Sequence, residues 1–257
     1  MGTSHPTRYE IRGRAAWITL DAPENRNALS AQMVQELGGH LRVASEDPAV
    51  RVIVLTGSGP AFCAGADLKG GANAAGTRES GQNPYIDIIR LIWEGSKPVI
   101  AAVNGHAFGG GIGLVAAADI AIAAEGARFA FSEVRVGVIP AMISVVVLPK
   151  LGLQQTTRLF LTGARFGAAD ALHYRLVHRV VPGEELGAAV QEEIDQLLLG
   201  GPIAVGEAKQ LIRTVSRLPL DEAFRYAEDK VAALFASPEA AEGMAAFLEK
   251  RRPKWTE

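Results

Sequence analysis

Three short stretches of this chain carry residue types and spacings that can do chemistry. Gly57-Ser-Gly-Pro-Ala-Phe-Cys-Ala-Gly-Ala-Asp-Leu-Lys69 follows the apolar run Val52 to Leu55. Small residues there leave backbone amides unshielded, so the loop can aim N–H groups at a ligand. Asn104-Gly-His-Ala-Phe-Gly-Gly-Gly-Ile-Gly113 follows a second apolar run and opens a helical pattern. Its free amides and the positive helix end favour an anion or a developing oxyanion. One amide from each loop can make an oxyanion hole, although either glycine run alone equally serves tight turns and close packing. Glu133 follows Phe129-Ala-Phe-Ser in a mostly apolar neighbourhood. Burial there raises a carboxyl pKa toward the range of a general acid or base. The plainer alternative is a capping carboxylate or an ion pair with Arg135.

Other chemistries fit less well. Gly111-Ile-Gly113-Leu-Val-Ala116 satisfies a dinucleotide-binding pattern, but that fold wants an acidic residue at the end of the next strand, about 20 residues on. Glu125 comes too early and Glu133 lies beyond a second apolar segment. Cys63 has no His paired with it by motif and reads as a packed thiol. His5, His40, His106, His173 and His178 lack zinc-ligand spacing, so no metal is expected.

The elements that must position these loops alternate. Tyr9 to Arg12 and Ala16 to Leu20 flank Gly13 and predict paired strands. Ser30 offers a helix cap, and Val34, Leu37, Leu41 and Ala44 recur at helical spacing until Asp47-Pro48. A buried strand at Val52 to Leu55 follows. After the polar stretch Gly70 to Asn83 come a helix carrying Ile88, Leu91 and Ile92, a strand at Val99 to Val103, a helix from about Gly110 and a strand at Asp119 to Ala124. This alternation argues for an α/β class. Beyond Pro140, helices are expected at Gln154 to Leu161 and Ala168 to Leu172, then a strand at Val177 to Val181 and helices almost to the end. Phe224, Ala227, Val231 and Leu234 form an apolar stripe, and Ser237-Pro238 starts the last helix. No linker separates independent domains, and the helical end can pack as a subdomain or against a neighbouring subunit.

Composition narrows the partners. The chain has 257 residues, a net charge of −2, one cysteine, 48% hydrophobic and 21% charged residues, enough to bury a sizeable core. A sequence pI near 6.2 offers no basic face for nucleic acid. The N-terminus lacks the apolar core of a signal peptide, and the lone cysteine suits a reducing, cytoplasmic setting. Pro98 to Ala118 runs 21 residues without a charge, near the length of a membrane span. Its glycines, Asn104 and His106 instead favour a buried strand, loop and helix.

Phe62-Cys-Ala-Gly-Ala-Asp-Leu-Lys69, Ala101-Ala-Val-Asn-Gly-His-Ala-Phe-Gly-Gly-Gly111 and Phe129-Ala-Phe-Ser-Glu-Val-Arg-Val-Gly-Val-Ile-Pro140 resemble, in order and spacing, the signature blocks of the crotonase, or enoyl-CoA hydratase/isomerase, superfamily. Asn27-Ala-Leu29 and Met244-Ala-Ala-Phe-Leu-Glu-Lys250 match as well. The resemblance implies a crotonase-like spiral of strand-strand-helix turns over residues 1–195, with a helical C-terminal trimerisation region over 196–257. It also implies homo-trimers commonly paired into hexamers and acyl-CoA thioester substrates, coenzyme A being part of the substrate and no separate cofactor being needed. Carried over by position, the backbone amides of Ala66 and Gly110 hold the thioester oxygen and Glu133 is the catalytic acid/base. Ala28, Ala64, Asp67, Leu68 and Lys69 match positions lining the CoA site, and Lys69 and Arg26 are candidate phosphate partners. Phe247 and Lys250 match positions that reach the CoA of a neighbouring subunit.

Two departures bear on the reaction. Gly113 stands where two-glutamate hydratases carry their second carboxylate, and Pro140-Ala-Met-Ile-Ser144 replaces a glycine run. Two carboxylates hold and activate a water, whereas one suffices to carry a proton between C2 and C4. Single-glutamate relatives that hydrate branched or carboxylated enoyl-CoAs, such as methylglutaconyl-CoA, share the Glu133 block, and Arg135 is a candidate for meeting a second substrate carboxylate. The expected activity is hydration of a 2-enoyl-CoA. The alternatives are a Δ3,Δ2-enoyl-CoA isomerase and a non-catalytic acyl-CoA-binding protein of the same fold.

Overall fold

The computed structural model describes residues 5–67 and 83–256. Its centre is a six-stranded sheet of β1 (Thr7–Arg12), β2 (Ala15–Leu20), β3 (Val52–Gly57), β5 (Val99–Val103), β7 (Ile120–Ala124) and β10 (Arg179–Val181), in that spatial order. Only the β1–β2 hairpin is antiparallel; every later pairing is parallel. A smaller sheet joins β4 (Ala61–Cys63), β6 (His106–Phe108), β8 (Arg128–Ala130) and β9 (Phe166–Gly167). Three strands of the large sheet thus each pass to a short one and then to a helix: β3 and β4 to α2 (Pro84–Glu94), β5 and β6 to α3 (Gly110–Ala117), β7 and β8 to α4 (Ala141–Thr162). The result is the spiral of strand-strand-helix turns expected from the sequence.

Two-residue periodicity decides which core each strand residue enters. Ile18, Ile53, Leu55, Ala101, Val103 and Ala121 face the main core with Met33, Leu37, Leu41 and Ala44 of α1 (Ala31–Glu46). Val52, Val54, Ile100, Ala102 and Ile122 face the other way, onto Leu186, Ala189, Val190 and Ile194 of α6 (Leu186–Leu199). Both faces are covered, which is why these parallel strands read as unbroken apolar runs. The charge-free run from Pro98 is β5, β6 and α3 of this core. Among the described residues no single helix is long and apolar enough to cross a membrane; α8 (Leu220–Phe235) and α9 (Pro238–Leu248) reach that length only as a pair bent by 68°.

Ser30 and Ser237 cap their helices as expected, accepting from Met33 N (3.2 Å) and Ala240 N (3.1 Å). Beyond α5 (Ala168–His173), the C-terminal helices α7 (Pro202–Val215), α8 and α9 are tied to the spiral through α7. Lys209 there is buried, donates to Ile92 O and Lys97 O (both 2.8 Å) and pairs with Asp119 at 2.8 Å. Burial pulls its ammonium pKa down to about 8 against the favourable Asp119 charge. The expected helix at Gln154 to Leu161 is the second half of α4. The first half begins after Pro140, and the two meet at Gly152 (φ 70°, ψ 168°). The stripe on α8 faces outward: Phe224 and Val231 are exposed, and α8 buries none of its residues within this chain.

Two asparagines hold the loops at the end of the sheet. The buried Asn27 accepts from Ala22 N (2.8 Å) and donates to Ser58 O (3.0 Å) and Ala61 O (2.8 Å). Asn104 accepts from Gly57 N (2.9 Å) and donates to Gly59 O (3.0 Å). Replacing Asn27 by alanine leaves several buried backbone groups unpaired. Asn27→Ala is therefore expected to cost about 2–4 kcal/mol, read from the urea midpoint; a loss under about 0.5 kcal/mol, the scale of an ordinary surface change, would show that water replaces these bonds.

Candidate active site

The loop after β4 is fastened to the segment before α1. Ala64 N donates to Arg26 O (3.0 Å), Leu29 N donates to Gly65 O (2.8 Å), and Leu29 and Ala66 form a one-residue parallel bridge. Gly65 has φ +86°, and a Cβ there would lie 2.7 Å from Phe108 O and 3.3 Å from Gly110 N. Its missing side chain lets this loop close onto the start of α3. Neither Ala66 N–H nor Gly110 N–H has an acceptor among the described residues. Gly110 is the first residue of α3, where an amide has no intrahelical partner and the helix dipole adds positive potential.

Glu133 opens a short 3-10 helix, Glu133–Val136, just after β8. It meets the same corner through Gly109 (φ +49°), where a Cβ would lie 3.1 Å from Glu133 Oε1. Its Oε2 is shut from solvent without a hydrogen-bond partner among the described residues. Burial raises the carboxyl pKa above the ordinary glutamate value, against the smaller opposing effect of a bond to its own backbone. Arg135 does not neutralise it, since that side chain donates to Thr162 O at 3.4 Å. The ion-pair alternative for Glu133 is not realised.

These groups share a cavity of about 700 Å3, within the usual size of a small-molecule site. Ala64, Gly65, Ala66, Gly109, Gly110 and Glu133 line one part, and Leu29, Val34, Tyr85, Ile88, Met142 and Ile143 make an apolar wall. Two uncharged amides, a raised carboxyl and an apolar channel suit a neutral carbonyl that gains negative charge beside a proton carrier.

The remaining sequence candidates divide. Arg26 is exposed on the left-handed turn (φ 59°) whose carbonyl holds Ala64, and Ala28 is buried beside it. Asp67 is half-buried just past Ala66, and Leu68 and Lys69 lie outside the described residues. Phe247 is 83% exposed at the end of α9, and Lys250 is exposed just beyond; neither lines this cavity. Arg135 does not line it either; its guanidinium is turned to Thr162 O. Sequence reasoning missed Tyr85 and Ile143. A Cβ on Gly113 would fall inside the van der Waals radii of Tyr85 Oη and Ile143 Cγ2. The place of the absent carboxylate is therefore filled by a phenol and a methyl group rather than open.

Comparison with known proteins finds relatives along nearly the whole chain. The family model described as enoyl-CoA hydratase/isomerase matches residues 10–257. Carnitinyl-CoA dehydratase of Shigella flexneri is 39% identical over 98% of this chain and 97% of that protein. The Proteus mirabilis protein of the same name is 37% identical over 98% of each. The crystal structure of an enoyl-CoA hydratase from Shewanella pealeana superposes with a TM-score of 0.92 at 32% identity, covering 98% of this chain and 96% of that one. Matched along nearly its whole length in sequence and in fold, the chain belongs to the enoyl-CoA hydratase/isomerase family.

Proposed function

We propose that this protein adds water across the C2–C3 double bond of a 2-enoyl-CoA, and removes it in reverse, with Glu133 as the acid/base and the amides of Ala66 and Gly110 as the oxyanion hole. The observation that carries the reading is the corner where Gly65 and Gly109 bring two unpaired amides and an unpaired carboxyl together. Glu133 takes a proton from water as the water oxygen bonds to C3. The C2–C3 electron pair moves toward the thioester oxygen, which the two amides hold as an enolate. Glu133 then returns its proton to C2, so one carboxyl serves both steps. Relatives named for dehydrating an acyl-CoA support the water chemistry.

The coenzyme A moiety runs past Ala28, Ala64 and Asp67, with Arg26 near its phosphates. The protein works as a homo-trimer or a hexamer in which Phe247 and Lys250 meet a neighbour's CoA; the exposed apolar residues Phe224, Phe235, Phe247 and Leu248 support an assembly at that end. A second reading, transfer of a proton between C2 and C4 of a 3-enoyl-CoA, is favoured by one observation: Gly113 has no room for a second carboxylate.

Offering a 2-enoyl-CoA and a 3-enoyl-CoA separates the readings. Loss of the conjugated thioester absorbance marks hydration, its appearance marks isomerisation, and tight CoA binding with neither marks a binding protein. Glu133→Gln is expected to lower the reaction by about 100- to 10,000-fold. Because burial raises the Glu133 pKa and the base form is needed, wild-type kcat/KM should fall with acid at a pH above the ordinary glutamate range. The charged form is the one that burial disfavours, so Glu133→Gln should keep or raise the Tm. Wild-type rates in Glu133→Gln would end this mechanism.

The amides have their own test. Gly110→Ala keeps the N–H and displaces only the flexible Leu29 Cδ1, 2.8 Å from the new Cβ. Gly110→Pro removes the N–H at a first-turn position that tolerates proline. Gly110→Pro should be slower than Gly110→Ala by about 100- to 1000-fold in kcat; equal rates in steady-state assays would remove this amide from the oxyanion hole.

A further inference from the structure

Tyr85 is a cavity residue that the hydration scheme leaves unused. It is buried (6% exposed) at the start of α2, where Pro84 takes the first helical position and the Asn83 side chain accepts from Tyr85 N at 2.9 Å. Its hydroxyl donates to Gly110 O at 2.6 Å. That bond commits the phenol's single proton, so the oxygen's remaining capacity is as an acceptor. The same oxygen occupies the space a side chain at Gly113 would need, one helical turn beyond the Gly110 amide. Tyr85 lines a cavity it shares with Glu133, whose buried Oε2 has no partner among the described residues.

We infer that Tyr85 is a further catalytic residue, which replaces a second carboxylate by a neutral acceptor: its oxygen takes a hydrogen bond from the water whose other proton Glu133 removes. This rests on the hydration reading above. A water bound between two carboxylates faces two competing proton acceptors, whereas here only one group can take the proton. Burial, then the nearness of Cys63 and Glu133, holds the Tyr85 pKa well above 10.0. The phenol therefore stays protonated through the pH range in which Glu133 titrates, and it contributes orientation rather than proton transfer. The bond balance is unchanged: one proton leaves water for Glu133 and goes on to C2, and the second hydrogen, oriented by Tyr85, stays on the new C3 hydroxyl. In the dehydration direction the same contact holds that hydroxyl with its leaving C–O bond toward the cavity. The tyrosine also braces the first turn of α3, so the two roles must be separated.

Exchange of the C2 hydrogens of a saturated acyl-CoA in D2O separates them, because it needs Glu133 and both amides but no water at C3. Tyr85→Phe keeps the ring and removes the oxygen. Hydration of a short 2-enoyl-CoA should fall by about 10- to 100-fold in kcat, while the ratio of hydration to C2 exchange falls at least tenfold. An unchanged ratio, whether both rates hold or both fall together, would overturn the inference and leave Tyr85 a support for the Gly110 turn. Should Tyr85→Phe not fold, Gly113→Ala tests the same contact, since its methyl group must displace the hydroxyl; the same drop in ratio is expected and an unchanged ratio overturns it. Wild-type protein that catalyses exchange without hydration would refute the reading on which the inference rests, and the inference with it.

Discussion

The rest of this structure depends on one steric constraint: two backbone segments and a carboxyl group meet where no side chain fits. The loop after β4 reaches the start of α3 only because Gly65 carries no Cβ against Phe108 O. Gly109 leaves the carboxyl of Glu133 room at the same place, since a Cβ there would crowd Oε1 at 3.1 Å. Parallel pairing of β4 with β6 and of β6 with β8 sets these segments side by side. Asn27 and Asn104 then pin the turns that enter them, using buried hydrogen bonds that are costly to lose. The spiral is, in this sense, a way of stacking three successive turns so that their ends converge.

Electrostatics at the corner follow from burial. Peptide amides carry no net charge, so two of them can be left unpaired at modest cost and still become strong donors when charge develops on a bound oxygen. Glu133 bears the larger penalty, since its Oε2 is enclosed without a partner and its pKa rises. That penalty tunes the group: a carboxyl with a raised pKa gives up and retakes a proton more evenly near neutral pH than an exposed one. A second carboxylate would add a like charge in the same low-dielectric space. At Gly113 the chain instead closes the wall with Tyr85 and Ile143, which keeps the site near neutral and its apolar channel intact.

Much of this was legible in the residues. The glycine runs mark the two amide loops because close approach needs them, and Glu133 stands out as a charge among Phe129, Phe131 and Val134. Ser30 and Ser237 announce their helices through capping chemistry. Other features had no local signal. Strands β4, β6, β8 and β9 have at most three residues, too few for a periodicity to appear. The first half of α4 was hidden by Pro149 and Gly152, which read as breakers although they mark a kink between two helical stretches. Tyr85 lies 25 residues from Gly110, and only the packing of α2 against α3 joins them. The stripe on α8 is apolar in the sequence, but periodicity cannot tell a face buried in its own chain from one left exposed.

The proposed chemistry depends on the paired amides of Ala66 and Gly110 polarising a thioester carbonyl beside Glu133. The most direct measurement is the carbonyl stretch of a 2-enoyl-CoA carrying a heavy-carbon label at C1, recorded by infrared difference spectroscopy on the wild-type complex. Two unpaired amide donors beside an apolar wall predict a stretch at lower frequency than the same thioester shows in water. A stretch at or above the frequency in water would contradict the account, because the carbonyl would then meet weaker donors in the cavity than in solvent.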